Sequence, residues 1–449
     1  MKSVISLPAP STASRGAVAV SSIRARAYTA LLLGFLIYTF VGTHPLADTS
    51  VGERVDGSPI DRLAVMVLFA LALFVIVRER SVALAYLLAN SGQSIIVGFA
   101  LLSALWSDFP DLTLRRALLL FFLTTIGLGL AVGAPDLRRL HTILFAVLTT
   151  VVILNLLATG IVPSRAITDI GVKGLYAQKN VAGIVAMIAA IVGAAWILGA
   201  ESAQSACKGL IGLFPIIVFL FLTRSKTSIN LTGLGLMLMG FFALAERYGP
   251  RFILAAVSLG LLALALILVL FAAVDFDFNA GLTSVVADTS FTGRDQLWAF
   301  ALSESQKRYW WGHGYGAFWD VGFGNDPTLR VETGTWLAST GVGVINQAHN
   351  GYLELWLELG LPATLVAALT TVKGAVVGGF HAICSADTRQ NRAAIGAFAV
   401  LLLLQLLHNL TEATLFMRGL AFANFACLSL FLVSRARRPS LSQTARIHQ

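Results

Sequence analysis

The chain has 449 residues, of which 57% are hydrophobic and only 12% are charged, and its mean hydropathy is +0.80. Soluble globular domains carry about 25% charged residues, so this composition excludes a soluble enzyme and indicates a membrane protein. The 32 basic residues exceed the 23 acidic ones, which gives a net charge of +9. The basic residues lie in short loops and at both ends of the chain, so we expect no nucleic-acid binding, which needs a basic face on a folded domain.

Twelve stretches are apolar enough to cross a bilayer, which takes about 20 residues each. A closed β-barrel is excluded because these stretches are too long and do not alternate in polarity. The third stretch is short and could begin as early as residue 81, so eleven or thirteen spans stay open. The predicted fold class is an all-α polytopic membrane protein with spans near 27–43, 62–77, 93–106, 113–133, 138–159, 180–199, 207–223, 226–244, 252–274, 350–379, 392–409 and 414–434.

The charges of the loops predict the orientation in the membrane. Basic residues fall in the even-numbered loops and in both tails, whereas the first odd-numbered loop is acidic. Positive charge marks the cytoplasmic side, so both termini are predicted to be cytoplasmic and the long loop between spans nine and ten to be periplasmic. The predicted organisation is an N-terminal tail (1–26), spans one to nine (27–274), a large periplasmic loop with short amphipathic helices (275–349), spans ten to twelve (350–434) and a C-terminal tail (435–449).

His349 precedes the tenth span and is the candidate for acid–base chemistry. Asn350 is a good helix cap, which leaves His349 just outside the helix, where a histidine can exchange a proton near neutral pH. A surface or packing histidine is the simpler alternative. Glu354 and Glu358 follow at a spacing of four, and carboxylates there are costly if they contact lipid. We expect them to face a wet cavity or to pair with arginine.

Cations in the outer turns are candidates for binding a phosphate group. Arg224 and Lys226 lie in the tight turn TRSKT between spans seven and eight, where they defy the positive-inside bias. The planar fork of arginine matches phosphate oxygens two at a time. Arg294, in TGRDQLW, and Lys179, in YAQKN, are further candidates. The alternatives are interfacial snorkelling for the turn and a salt bridge to Asp295 or Glu304 for Arg294.

The run from 309 to 319, YWWGHGYGAFW, mixes aromatic rings with glycines. Aromatic rings offer flat apolar faces on which sugars can stack, although a belt of aromatics at the membrane interface would have the same composition. The predicted sugar contacts are Trp310, Trp311, His313, Tyr315, Trp319, Asn350 and Glu354. Neither a metal site nor a cofactor motif is found, since the three cysteines are far apart and have no histidine at ligand spacing.

Four local motifs resemble those of the O-antigen ligase/polymerase superfamily, and most closely the exopolysaccharide polymerases of the succinoglycan type. The family's signature is His, then Asn, Ser or Gln, nine residues, Gly, two residues and a Gly, Thr or Tyr. His349, Asn350 and Gly360 are similar to it, although Ala363 departs from it at the last position. FTGRDQLWAF with WWGHGYGAFW, LYAQKNVAG and TRSKT resemble the other three motifs. Gln178 stands where a histidine is common, and Lys226 where an arginine is common.

The resemblance implies a membrane glycosyltransferase with a fold similar to the GT-C enzymes, in the bacterial inner membrane. It would transfer an oligosaccharide from a polyprenyl-pyrophosphate lipid, such as undecaprenyl pyrophosphate, to a hydroxyl group with inversion and without metal. His349 would be the general base, and Arg224, Lys226, Arg294 and Lys179 would bind the pyrophosphate. A flippase and a chain-length regulator of polysaccharide synthesis are the implied partners.

Four hypotheses for the function stay open at this point, and one of them is a non-catalytic membrane subunit of a polysaccharide export complex. The acceptor is another lipid-linked repeat unit in an exopolysaccharide polymerase, and a lipid A core in an O-antigen ligase. A polytopic transporter or lipid-linked sugar flippase belongs to a different class. It predicts paired charges inside the spans and two similar halves, and the sequence has neither feature.

Overall fold

The computed structural model describes residues 12–47, 57–134, 136–256, 258–260, 262, 294–331, 335–339 and 341–435. Their α-helices, in chain order, are α1 (Thr12–Phe40), α2 (Pro59–Arg78), α3 (Arg80–Ala89), α4 (Ser91–Leu102), α5 (Pro110–Gly133), α6 (Leu137–Ile161), α7 (Pro163–Ala166), α8 (Lys179–Leu198), α9 (Ala203–Leu222), α10 (Lys226–Tyr248), α11 (Arg294–Lys307), α12 (Trp336–Ser339), α13 (Gly351–Cys384), α14 (Arg389–His408) and α15 (Ala421–Arg435). Two short antiparallel strands, β1 (Ile167–Thr168) and β2 (Gly171–Val172), lie between α7 and α8.

Among the described residues, nine helices are long and apolar enough to cross a membrane: α1, α2, α5, α6, α8, α9, α10, α13 and α14. The all-α polytopic fold is therefore confirmed. The predicted third span is a pair of helices, α3 and α4, which begins at Arg80 and bends by 88°. The last predicted span, 414–434, is a shorter helix of 15 residues, α15. The predicted ninth span lies mostly outside the described residues, so the count of twelve stays a prediction.

Three helices form the centre of the bundle. About 72% of the apolar segment of α5 and of α14, and 67% of that of α8, is buried, against 22% for α2 and α9. The α8 sequence is rich in alanine and glycine, and small residues let helices approach closely in a membrane protein. A side chain at Gly183 would meet Ser225 and Ser228 of the α10 region. Close packing of α8 against α10 therefore fixes the turn that precedes α10.

Contacts between the segments that join the helices define two ends of the bundle. At one end, which we call the loop end, the Leu46 N–H donates to the Leu175 carbonyl (2.8 Å) and Trp106 Nε1 donates to the Trp311 carbonyl (3.0 Å). At the other, the tail end, Arg24 pairs with Glu79 (2.6 Å). The sequence predicts that the loop end is periplasmic, and this orientation stays a prediction.

The segment from 294 to 350 packs on the loop end as a small structure of its own. Helix α11 begins by Arg294, close to the predicted start, while the predicted cap Thr292 lies outside the described residues. A second hydrophobic cluster joins this segment to α13 through Leu297, Ala301, Phe318, Trp319, Leu337, Ala348 and Leu357. Burial of these apolar side chains fixes the segment over the beginning of α13.

Candidate active site

His349 lies immediately before α13 on a strained backbone. The side-chain oxygen of Asn350 accepts hydrogen bonds from the N–H groups of Tyr352 (3.0 Å) and Leu353 (3.1 Å), so the predicted helix cap is confirmed. The φ angle of His349 is +48°, which residues other than glycine seldom adopt. Such strain persists only where the surroundings hold it, and it concentrates at functional sites. The side chain is 33% exposed, so a substrate can reach it.

Glu354 holds the chain just before His349. Its Oε2 accepts hydrogen bonds from the backbone N–H of Ala348 (2.6 Å) and from Trp319 Nε1 (3.1 Å). Glu354 is buried, so its carboxylate is enclosed by these donors and is not presented to a sugar. We therefore correct its predicted role from a sugar contact to a residue that positions the His349 backbone.

Glu412 contacts the ring of His349. It lies in the turn after α14, and its Oε2 is 2.9 Å from His349 Nδ1. Its other oxygen is 3.5 Å from Arg294 Nη2 and 3.3 Å from Asn180 Nδ2. Arg294 therefore pairs with Glu412, rather than with Asp295 or Glu304. One carboxylate thus joins the histidine, the candidate phosphate-binding arginine and the start of α8.

The protonation state of Glu412 fixes the tautomer of the histidine. Burial acts to raise the pKa of Glu412, but the hydrogen bond from His349 and the positive charge of Arg294 outweigh it, so the pKa is lowered. The carboxylate is therefore ionised at neutral pH and can only accept hydrogen bonds. Nδ1 of His349 must then carry the proton, which leaves Nε2 unprotonated in the neutral ring. This is the arrangement that a general base requires.

The KNVAG segment at the start of α8 connects this pair to the TRSKT turn. Lys179 Nζ donates to the carbonyls of Ile170 (2.9 Å) and Arg224 (3.3 Å). Asn180 Oδ1 accepts from Ser225 Oγ (3.4 Å), while its Nδ2 reaches Glu412. Lys179 therefore links two turns. Its ammonium group is bonded to backbone carbonyls, whereas the sequence predicted a contact with phosphate.

The TRSKT turn presents its two cations outward. Thr223 and Ser225 are buried and bond to backbone or to neighbouring polar groups, whereas Arg224 and Lys226 are exposed. Within the described part of the chain, neither cation has a side-chain ion pair. Arg224 also has a positive φ of 50°. The turn is thus built by its hydroxyl groups, and the charges stay available to an anion.

The aromatic run is only partly a surface. Trp310 and Trp311 are 62% and 59% exposed. His313, Tyr315 and Trp319 are buried: the Tyr315 hydroxyl donates to the Phe416 carbonyl (2.7 Å), and burial lowers the pKa of His313. The expectation that these three side chains stack on a sugar is therefore corrected, because they pack inside the protein. Of the predicted sugar contacts, Trp310, Trp311 and Asn350 stay as predictions.

Gly360 breaks α13 where the aromatic run crosses it. Its φ is +81°, and a Cβ there would overlap the Trp310 carbonyl. The break leaves carbonyls of α13 free, because Pro362 has no N–H and the Leu361 N–H turns to the Tyr309 carbonyl (3.0 Å). These carbonyls of Leu357 and Glu358 accept from the N–H groups of residues 313 (2.7 Å) and 314 (3.0 Å). The glycine of the signature therefore fixes the loop onto the helix.

Gly360→Ala is expected to destabilise the protein by about 2–5 kcal/mol, since it adds backbone strain and overpacking. The matched control is Gly240→Ala in α10, where a Cβ would meet nothing within 4 Å and helix propensity favours alanine. Thermal unfolding of both variants in detergent measures the difference. Equal unfolding temperatures for G360A and the unchanged protein would contradict this role.

Two residues of the site could not be singled out from sequence. Glu412 lies 63 residues from His349, and Asn180 lies 232 residues from Glu412. Glu412 is an acid in a short turn at the loop end, HNLTEATLFMRG, which otherwise has one cation, Arg418. That isolated negative charge is the one feature of the sequence that could have indicated a functional role for Glu412. Its partner could not be predicted, because it depends on how the helices pack.

These features define the class of protein: an all-α polytopic membrane protein with a histidine–carboxylate pair and cations at one end of its bundle. Residues 211–368 match the family model described as O-antigen ligase. This match supports the resemblance of the chain to the O-antigen ligase/polymerase superfamily. The matched segment includes Arg224, Lys226, Arg294, His349 and Gly360, whereas Asn180 and Glu412 lie outside it. No curated protein matches the chain significantly.

Proposed function

We propose that the protein is an exopolysaccharide polymerase of the bacterial inner membrane. It transfers an oligosaccharide from a polyprenyl-pyrophosphate lipid to a hydroxyl group of another lipid-linked repeat unit on the periplasmic side. The observation that carries this proposal is the His349–Glu412 pair, which one hydrogen-bond network through Asn180 and Ser225 joins to the cationic turn of Arg224 and Lys226. The superfamily match supports transfer chemistry of this general kind.

His349 acts as the general base in the proposed reaction. Its Nε2 takes the proton of the acceptor hydroxyl while that oxygen attacks the anomeric carbon of the donor sugar. The new glycosidic bond forms as the bond from the anomeric carbon to the pyrophosphate oxygen breaks, and the bonding electrons leave with the pyrophosphate. Attack opposite to the leaving group inverts the anomeric configuration. The ionised Glu412 stabilises the imidazolium that forms, which then releases its proton to water.

Cations stabilise the charge that develops on the leaving group. Arg224 and Lys226 are exposed and carry no side-chain ion pair to described residues, so they can meet a pyrophosphate without losing another partner. Arg294 contributes from the far side of Glu412. Preorganised positive charge of this kind is a large part of many rate enhancements. Because pyrophosphate is already a good leaving group, the proposed reaction needs no metal.

Polymerisation by the purified protein tests the function. The full-length protein is supplied with lipid-linked repeat units, with and without a chelator and with and without lipid A core. Chain growth on repeat units alone in chelator supports the metal-independent polymerase. Transfer that requires lipid A core supports the second candidate, an O-antigen ligase, which the description of the matched family model favours. No transfer with either acceptor contradicts both and returns a flippase or transporter to consideration.

Arg224→Gln is expected to slow turnover by about 100–1000-fold, as loss of a single charge-stabilising donor does in other enzymes, and Lys226→Gln by about 10–100-fold. Arginine is given the larger effect because its fork can hold two phosphate oxygens. Both side chains are exposed, so stability should change by less than about 0.5 kcal/mol. Rates of chain growth and unfolding temperatures measure both effects.

The control for this prediction is Lys208→Gln, an exposed cation near the other end of α9. We expect its rate to equal that of the unchanged protein. If R224Q and K226Q also retain full activity, the cationic turn does not bind the leaving group.

A further inference from the structure

A cavity of about 720 Å³ lies between α1, α2 and α5 at the loop end. All of its lining residues fall in the segments 38–122 and 418–419, outside the segment that matches the family model. None of them belongs to the His349 site. Met66 in its wall is 51% exposed, so the cavity is reached from the surface of the bundle.

The cavity is polar at its mouth and apolar in its depth. Thr43, His44 and Asp61 line the mouth, where the Thr43 hydroxyl bonds to Asp61. Leu119 and Phe122 line the deep part. Phe122 lies seven residues after Arg115 on α5, which at 1.5 Å per residue is about 10 Å further along the helix. The cavity therefore changes from polar to apolar along α5, which is the polarity gradient of a lipid with a polar head.

The charges around the mouth favour an anionic head. Four lining residues are arginines, against one carboxylate, Asp61. Arg116 and Arg418 are held in place: Arg116 donates to the carbonyls of the 316–320 segment, and Arg418 lies 3.8 Å from Glu358. Arg115 is exposed at the mouth. Guanidinium groups match phosphate oxygens in pairs, so the head that fits is a phosphate.

The cavity is close to the chemistry but uses other helices. Arg418 is six residues from Glu412 in the turn between α14 and α15. Six residues span about 20 Å at most, so a glycan that begins at Arg418 starts within that distance of the residue that holds His349. The Arg224–Lys226 turn instead joins the site through α8 and α10.

We infer that this cavity binds a second polyprenyl-phosphate lipid, the one that carries the acceptor glycan. Its phosphate lies beside Arg115 and Arg418, and the first part of its chain lies along α2 and α5 towards Phe122. This assignment rests on the proposed function, because a polymerase must hold two lipid-linked substrates at once. The Arg224–Lys226 turn then belongs to the donor and the cavity to the acceptor.

Counting bound lipids tests the inference. The full-length protein in phosphatidylcholine nanodiscs is titrated with polyprenyl phosphate, and native mass spectrometry counts the lipids that are bound. We expect two per protein. Arg115→Gln removes charge at the mouth, and Met66→Trp fills the apolar part of the cavity. Each should weaken the binding of the same one of the two lipids by tenfold or more. The double variant R224Q/K226Q should weaken the other.

Several outcomes would overturn the inference. Unchanged binding of two lipids by both R115Q and M66W would exclude the cavity, and so would equal competition by phosphatidylglycerol or by inorganic phosphate. R115Q alters an exposed side chain and therefore tests the cavity even if M66W misfolds. Thermal unfolding shows whether M66W is folded. His349→Ala should still bind two lipids. If M66W loses one lipid and H349A still polymerises fully, the assignment of the cavity stands and the proposed mechanism is wrong. If M66W keeps both lipids and H349A makes no polymer, the proposed mechanism stands and the assignment of the cavity is wrong.

Discussion

Replacement of His349 by alanine is expected to reduce chain growth by about 100–10,000-fold, the usual contribution of a general base. The variant should reach the membrane at the normal level, because the side chain is 33% exposed and its hydrogen bond among the described residues is with Glu412. Single lipid-linked repeat units should accumulate in cells that carry it, while long polymer disappears. Polymer length on gels and the amount of lipid-linked single repeats measure the effect.

His381→Ala is the matched control for this prediction. His381 lies at the tail end of α13, where its Nε2 is 4.0 Å from Asp387, away from the proposed chemistry. We expect this variant to make polymer of normal length. If polymer length also survives His349→Ala at equal protein level, His349 is not the base.

Composition and local pattern were sufficient to predict the class of fold. Long apolar stretches can satisfy their backbone hydrogen bonds in a bilayer only as helices, so spans such as α8 and α14 could be placed within a few residues. The bend of 88° between α3 and α4 could not be predicted, because neither helix carries a proline and Asn90 at the junction is not by itself a signal for a break. Its direction follows from how the two helices pack.

Local sequence also predicted the residues at the ends of the spans, but not their partners. The cap by Asn350 follows from residue type and position alone. Tyr315 and Trp319 were predicted to contact a sugar through their aromatic faces, yet the structure buries both. The glycines at 312, 314 and 316 have positive φ angles, and they serve to fold the loop back onto α13 rather than to admit a ligand.

The residues of the candidate site are brought together by packing between distant segments. His349, Glu412 and Asn180 come from three separate segments, and a single carboxylate contacts the other two. A sequence pattern can indicate that a histidine is free to react, but the acid that orients it is chosen by the arrangement of the helices. For this reason the candidate base could be proposed from one motif, whereas the carboxylate that contacts it could be found only in the structure.

Glu412→Gln is expected to lower the rate of chain growth by about 10–1000-fold, less than loss of the base itself. The glutamine amide can present either its oxygen or its NH₂ group to Nδ1 of His349. When the NH₂ group faces the ring, Nδ1 accepts and the proton moves to Nε2, which then cannot act as a base. Loss of the negative charge also removes stabilisation of the imidazolium. The interaction by which His349 lowers the pKa of Glu412 is reciprocal, so loss of the carboxylate should move the acidic limb of the pH–rate profile to lower pH.

The pH profile separates this positioning role from a merely structural one. A variant that only misfolds would lose rate equally at every pH and would lose protein from the membrane. Glu246→Gln, which removes the carboxylate of a pair with Arg392 at the tail end, is the control and should leave the profile in place. A Glu412→Gln profile with the same acidic limb as the unchanged protein would show that Glu412 does not act through His349. A shifted acidic limb at a normal protein level would instead show that Glu412 acts through His349. It would also show that the separate segments that carry these two residues meet at one end of the bundle.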